Sequence, residues 1–442
     1  MKRIQRLRPA LFGALICMTA AGCDDLLEVA DPQRYSSEDL DQALETVANG
    51  VEGDLYEEFD HYIIYTALNS DEYQHTGTWI GYDNYDHGRF IYGNASGGGG
   101  GGASDGVMND LLGVRAFAID AQARFERVLG GDAATSPLTA RVKAVEGWAD
   151  LLIAQSFCEA PDAPSGVAIP DTELYAQAIA ELTDAMAVAD AAGKADIGLW
   201  ARAGRARAHL MLGHYAEALA DAQAVPDDFI WYAQFSSNSG RQNNDLVNLT
   251  TSGFNLAASV REKWWASVDT VADAILDPWT GEPDPRLPVL YTGEIAVDGV
   301  TPHYSQWKYR NLDADIPVAD GREMRLIEAE VYWRQDRLAD AVAVLDALRA
   351  AAGLDPLPDA GGDAAVVFDY LLHERFAELF LEGQRMNDLY RFGLVDDFIA
   401  DGSFGEETEP VRPVKFPLTQ DEAINNPNIE DDATQRCLPL SS

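Results

Sequence analysis

The chain has 442 residues, with 73 Asp and Glu against 32 Lys and Arg and a net charge of −41. So acidic a chain lacks the basic footprint that replaces phosphate counterions, which excludes a nucleic-acid-binding role. Its length exceeds what one core usually organises, so either two subdomains or one large helical body is expected.

The chain starts with Lys2, Arg3, Arg6 and Arg8, continues in the apolar run Leu11 to Ala20, and reaches Ala21-Gly22-Cys23. That run is too short to span a bilayer and has the layout of a secretory signal with small residues at the cleavage point. Its ending resembles a bacterial lipobox, in which the cysteine becomes the lipid-modified, palmitate-bearing first residue. The alternative is that Cys23 is an ordinary residue beyond a soluble signal. Residues 1–22 are therefore expected to be a lipoprotein signal peptide and 23–442 the mature chain. Removing four basic residues and no acid from −41 leaves a mature charge of −45. No later stretch approaches ~18 consecutive apolar residues, so the mature protein is expected to be anchored to a membrane without spanning it. Asp24 and Asp25 look like surface-export signals of Bacteroidetes-type lipoproteins. Besides the anchor, Cys158 and Cys437 remain; the compartment permits a disulfide, but the sequence does not show that they meet.

From Glu38 to Tyr73 the apolar spacing of Leu40, Ala43, Leu44, Val47, Val51, Leu55, Phe59, Ile63 and Ile64 predicts helix, ending at Ser70-Asp71-Glu72. Thr76 to Tyr92 then interleaves glycine with Trp79, Tyr82, Tyr85, Phe90 and Tyr92, which predicts an irregular surface segment. Its rings are either partly buried struts or a platform for sugar faces. His61, His75 and His87 lie near carboxylates without tight ligand spacing, so they are read as polar loop residues and not as a metal site. Six glycines at 97–102 are read as a flexible loop, since no Gly-Lys-Ser/Thr follows.

The middle reads as helical hairpins: Leu111 to Val128, Leu138 to Phe157 and, after a proline-rich loop, Tyr175 to Ala191. In Leu199 to Val225, small Ala203, Ala206, Ala208 and Ala218 alternate with Leu210, Leu212, Tyr215 and Leu219, and Gly213-His214 marks a turn. This is the pattern of a tetratricopeptide-like helix pair. It recurs at Met324 to Leu348 around Gln335-Asp336. Between the copies, 227–320 is rich in Asn, Ser, Gly, Pro and aromatic residues, with a helical run expected only around Ala257 to Ile275. Long insertions on a rigid scaffold commonly carry binding residues.

Val367 to Gly393 predicts a helix with Phe368, Leu371, Leu372, Phe376, Leu379 and Phe380 on one stripe. Short-range ion pairs are expected at Arg375–Glu378, Glu382–Arg385 and Arg385–Asp388. Gly383 should end or bend it before a second short helix, Arg385 to Phe392.

Taken in order, these stretches resemble the SusD/RagB family of outer-membrane lipoproteins. The resemblance is carried by the lipobox at Cys23, Ser70-Asp71-Glu72, Arg141 to Phe157, and Trp200 to Val225. It continues through Asp284 to Leu287, Ile316 to Glu330, and His373-Glu374-Arg375 onward to Asp388-Leu389. The closing matches are Lys415-Phe416-Pro417-Leu418 and Glu422 to Asn428. Cys158 stands where that family usually turns on glycine. The resemblance implies a mostly all-α, SusD-like fold, in which tetratricopeptide-like helix pairs form a scaffold carrying long irregular aromatic-rich loops. It further implies a lipid-anchored protein facing outward from the cell outer membrane, without cofactor. Such a protein captures oligosaccharide for a SusC-like TonB-dependent transporter.

Ligand-contact candidates are the rings of Trp79, Tyr82, Tyr85, Trp264, Trp265, Trp279, Tyr291 and Trp307, because flat apolar faces with polar edges suit sugars. Peptide in place of glycan, or a helical-repeat scaffold binding only proteins, are the alternatives. An enzyme is not expected: a Gly-x-Ser-x-Gly elbow, a zinc-binding His-Glu-x-x-His and a catalytic cysteine setting are all read as absent. Paired carboxylates carry no information among 73 acids.

Overall fold

A computed structural model describes residues 37–89, 103–251, 255–400, 402 and 415–429. The expectations for the signal peptide, Cys23, Phe90, Tyr92, the glycine run and Cys437 lie outside the described residues. The chain divides into two units, 1–44 and 45–442. Among the described residues the first contains the short helix α1 (Ser37–Asp41), and the second carries the elements from Glu45 onward.

Helix α2 (Leu44–Leu68) leads into β1 (Tyr73–His75) and α3 (Ile80–His87). The helical framework comes next: α4 (Ala103–Leu129), a 3-10 turn, α5 (Pro137–Ser156), the ribbon β2 (Glu159–Pro161) and β3 (Ala168–Pro170), then α6 (Asp171–Ala191), α7 (Ala195–Met211) and α8 (Tyr215–Gln223). The insertion holds β4 (Ile230–Ala233), α9 (Asp245–Thr250), β5 (Ala258–Val260), β6 (Val268–Asp269), β7 (Ala274–Leu276), β8 (Pro283–Ile295), β9 (Pro302–Gln306) and β10 (Ile316–Asp320). The C-terminal helices are α10 (Gly321–Arg334), α11 (Leu338–Ala352), α12 (Ala364–Glu378), α13 (Arg385–Arg391), α14 (Val395–Ala400) and α15 (Gln420–Asn425).

Helices α4 to α8 pack in sequence order, α8 packs on α10, and α10 packs on both α11 and α12. The small residues Ala203, Ala206, Ala208 and Ala218 of α7 and α8 are all buried. A Cβ on Gly204 would stand 2.9 Å from the Trp148 ring. Trp148 of α5 and Trp200 of α7, both fully buried, stack at 6.0 Å, and Trp231 of β4 continues the stack at 4.4 Å. Three indoles thus tie the helical hairpins to the first strand of the insertion, each burying on the order of 200 Å². Leu326, Ala329, Leu345, Leu348, Tyr370 and Leu371 form the core between α10, α11 and α12.

The insertion differs from expectation. Ala257 to Ile275 is not helical: it forms β5, a 3-10 turn (Glu262–Ser267), β6 and most of β7. Strands β6-β7-β8-β9 make an antiparallel sheet, and β5 pairs with β1, Tyr73 opposite Val260. Strand pairing with distant segments has overridden a weak helical spacing. The expected irregular segment after Tyr73 contains the two-turn helix α3, closed by Gly88 in the left-handed region at φ 68°. The first part of Ile316 to Glu330 is strand β10. Helix α10 then starts where the Asp320 side chain accepts the Glu323 N–H at 2.8 Å. Cys158 is disulfide-bonded, and its partner lies outside the described residues.

Candidate functional site

The C-terminal stretch folds as α12, a turn with Leu381 at φ 54° and Gly383 at φ 75°, and α13. Because α12 ends at Glu378, the short-range pairs expected along one continuous helix give way to partners elsewhere in the chain. Arg375 binds Asp388 at 2.8 Å, and Arg385 binds both oxygens of Asp71 at 2.6 and 2.9 Å. Glu382 takes Lys308 at 2.7 Å, while Glu374 and Glu378 take Arg286 at 2.6 and 3.0 Å. The carboxylates, Arg375 and Arg385 are buried, Arg286 and Lys308 are half-buried, and together they join the insertion to α12 and to the end of α2. Burial raises the Asp71 carboxyl, but the neighbouring Arg385 and Lys263 charges outweigh it and hold the group well below the usual carboxylate range. Beside it, burial pushes Glu72 up to about 8, only partly offset by the Leu381 N–H that its carboxylate accepts at 2.7 Å.

On this frame, the residues after Asp71-Glu72 build an open aromatic surface. Strand β1 is held by β5, and α3 lifts Trp79 to 47% exposure. Tyr82 lies 5.5 Å from Trp79 and 5.4 Å from Tyr65 of α2. One turn back on α2, His61 bonds Asp245 at 3.1 Å and Glu58 at 3.3 Å. Burial disfavours the imidazolium, but its bonds to Asp245 and Glu58 prevail, so His61 is held protonated. Burial lifts Asp60 beneath it to about 8. The result is a ring face bordered by fixed donors and acceptors.

A second ring set lies on the sheet. Tyr291 of β8, 41% exposed, faces Tyr304 of β9 across the ladder at 4.8 Å, and Tyr304 stacks on Trp265 at 4.8 Å. The Trp265 indole donates to the Val260 carbonyl at 2.8 Å. Ser259 of β5 accepts the Tyr304 N–H at 3.0 Å, so both sets stand on the linked strands β1, β5 and β9.

The remaining candidates are placed elsewhere. Tyr85 is fully buried, 4.8 Å edge-on from Phe416; a ring without accessible surface cannot stack on a ligand, and the expectation for it is corrected to packing. Trp264 lies flat on Phe376 at 4.5 Å under the Lys263 ammonium, and its indole donates to Asp71 O at 2.7 Å. Trp279 meets Tyr370 edge-on at 4.8 Å. Both brace the insertion against α12. Trp307 carries Arg310 over its ring at 5.1 Å. Tyr65 and Tyr304 were not among the candidates. Tyr65 looks like one more position of a helical stripe, whereas Tyr304 was within reach, since Asp298-Gly299 between two β-rich runs is a hairpin signal.

Asp277, Asp284 and His373 bring potential ligand atoms within 4.8 Å of one another. The carboxylates are already engaged, Asp277 by Arg349 at 2.6 Å and Asp284 by Arg286 at 2.7 Å, so guanidinium groups fill the cation's role there. Gly102-Ala103-Ser104-Asp105-Gly106 does have the spacing of a serine elbow, but Ser104 lies within α4 directly after the glycine run. No helix among the described residues is long and apolar enough to cross a membrane.

Residues 301–436, which include the ion-paired C-terminal block, match the family model described as the SusD family. No curated protein matches the sequence. Among solved structures, a SusD superfamily protein from Parabacteroides distasonis is similar at TM-score 0.66 and 14% identity, over 90% of this chain and 99% of the other. A SusD-like carbohydrate binding protein from Bacteroides vulgatus is similar at TM-score 0.59 and 15% identity, over 80% and 83%. A laminarin binding SusD-like protein is similar at TM-score 0.58 and 16% identity, over 87% and 98%. Residues 301–436 thus carry the match to the SusD family, and the chain has a SusD-like fold along most of its length.

Proposed function

We propose that the chain is a nutrient-binding lipoprotein that captures oligosaccharide and passes it to a SusC-like TonB-dependent transporter. In this reading a lipid on Cys23 anchors it to the outer membrane, and the helical body faces outward. The observation that carries the binding reading is the solvent-open Trp79 ring beside Tyr82 and Tyr65, with His61 fixed at their border. A flat apolar face rimmed by oriented polar groups matches the alternation of C–H faces and hydroxyls on a sugar ring. Tyr291 and Tyr304 offer a second such face. The similar proteins described as carbohydrate binding and laminarin binding favour glycan over peptide. Capture needs no bond cleavage, and the chain is read as non-catalytic.

The test is retention of the full chain on affinity gels carrying different polysaccharides, laminarin among them, compared with Trp79→Ala. Retention by at least one glycan, weakened in the folded variant, is the expected result. Cleavage of a glycan would make the protein an enzyme, and indifference to every glycan would leave peptide or protein partners. Either outcome overturns the proposal.

A further inference from the structure

The turn between α7 and α8 carries two histidines that glycan capture does not use. Helix α7 ends at Met211 with Leu212 as its cap, and Gly213 adopts φ 73°. The N–H of His214 donates to the His209 carbonyl at 2.9 Å, and that of Gly213 to the Leu210 carbonyl at 3.0 Å. This is a Schellman closure, which brings together the side chains two positions past the cap and three before it, usually as an apolar pair. Here both are imidazoles. Their Nδ1 atoms lie 3.4 Å apart, with ring centroids at 5.6 Å and planes inclined by 48°. Neither ring hydrogen-bonds to any other described residue.

The separation is informative. At that distance the two rings make at most a long hydrogen bond, one nitrogen donating and the other accepting. Two nitrogens each bound at about 2.0–2.1 Å to a tetrahedral zinc ion stand about 3.3–3.4 Å apart. The pair also sits at the C-terminal end of a 17-residue helix, where the backbone dipole favours a cation. Glu217, on the first turn of α8, lines the same cleft as His214.

We propose that His209 and His214 form a chelating pair for one transition-metal dication of the Zn²⁺ class, with solvent or Glu217 supplying the remaining ligands. Imidazole selects such ions over Mg²⁺ and Ca²⁺, which prefer the oxygen ligands abundant on this acidic chain. That difference makes the site separable from diffuse counterion binding.

The experiment is calorimetric titration of ZnCl₂ into the full chain with Mg²⁺ in large excess, beside His209→Ala and His214→Gln. Circular dichroism confirms that each variant is folded. One Zn²⁺ per chain is expected, with affinity falling at least about tenfold in either variant. His87→Gln, a substitution away from the pair, should leave the titration unchanged. Absence of Zn²⁺ binding under Mg²⁺, or binding that both folded variants retain, overturns the proposal.

Discussion

Arg385 reaches back 314 positions to hold both oxygens of Asp71, at 2.6 and 2.9 Å, with both side chains buried. The contact closes the C-terminal helices onto the end of α2, and Lys263 from the insertion binds the same carboxylate at 2.9 Å. Removing one partner strands a buried charge, so Arg385→Ala or Asp71→Ala should destabilise the fold by about 3–5 kcal/mol. Urea unfolding measures the loss, and a double-mutant cycle isolates the pair. Glycan affinity of the folded fraction should stay near wild type, because neither residue belongs to the exposed ring sets. Lost affinity at unchanged stability would move these residues from frame to site.

The same pocket of charge predicts two opposite pH effects. Asp71 has a lowered folded pKa, so its stabilisation is complete above the unfolded carboxylate range near 4 and is lost as pH falls toward its folded value. Glu72 is the reverse: with a folded value raised to about 8, the native state holds more protons than the unfolded state between roughly 4 and 8. Stability therefore declines as pH rises through that window. Glu72→Gln keeps an acceptor for the Leu381 N–H and removes the titration. It should be more stable than wild type at pH 8, with the advantage vanishing at pH 4, as measured by denaturant unfolding at each pH.

The helical frame was largely legible because its signals are local. The helix expected at Tyr175 to Ala191 forms as Asp171–Ala191, and the pairs around Gly213 and Gln335-Asp336 follow from apolar spacing and turn residues. Charge partners were not legible. Arg375 stands three before Glu378 in sequence, yet its partner is Asp388, which depends on where α12 stops. The strands of the insertion were missed because most are two to five residues long, and β5 pairs with a segment far away in sequence, Val260 opposite Tyr73. For the site, aromatic content marked the segments that carry the ring sets but did not separate exposed Trp79 from Trp264, which lies against Phe376.

Gly383 predicts a backbone effect. Its φ of 75° disfavours any residue with a Cβ, and a Cβ there would stand 2.3 Å from the Tyr62 ring, whose hydroxyl donates to the Gly383 carbonyl at 2.7 Å. Gly383→Ala should cost more than about 1 kcal/mol, since left-handed strain and the displaced ring add to one another. Gly50→Ala, in α2 with open space around it, should instead stabilise by up to about 1 kcal/mol. Thermal unfolding of the two variants side by side gives the comparison, and equal effects would contradict the role assigned to the Gly383 turn.

Two tryptophans separate binding from support. Trp79 is about half exposed and contacts Tyr82, whereas Trp264 is stacked on Phe376 and donates to Asp71 O. Trp79→Ala removes one open ring face and little packing. It should lower affinity for a bound glycan roughly tenfold, about 1.4 kcal/mol, with an unchanged unfolding midpoint. Trp264→Ala empties a packed position and frees the Asp71 carbonyl, so it should destabilise by about 3 kcal/mol. Affinity per folded molecule should hold. The pair is read by glycan titration and urea unfolding on the same preparations, and a reversal of the two profiles would place the ligand against α12 instead of α3.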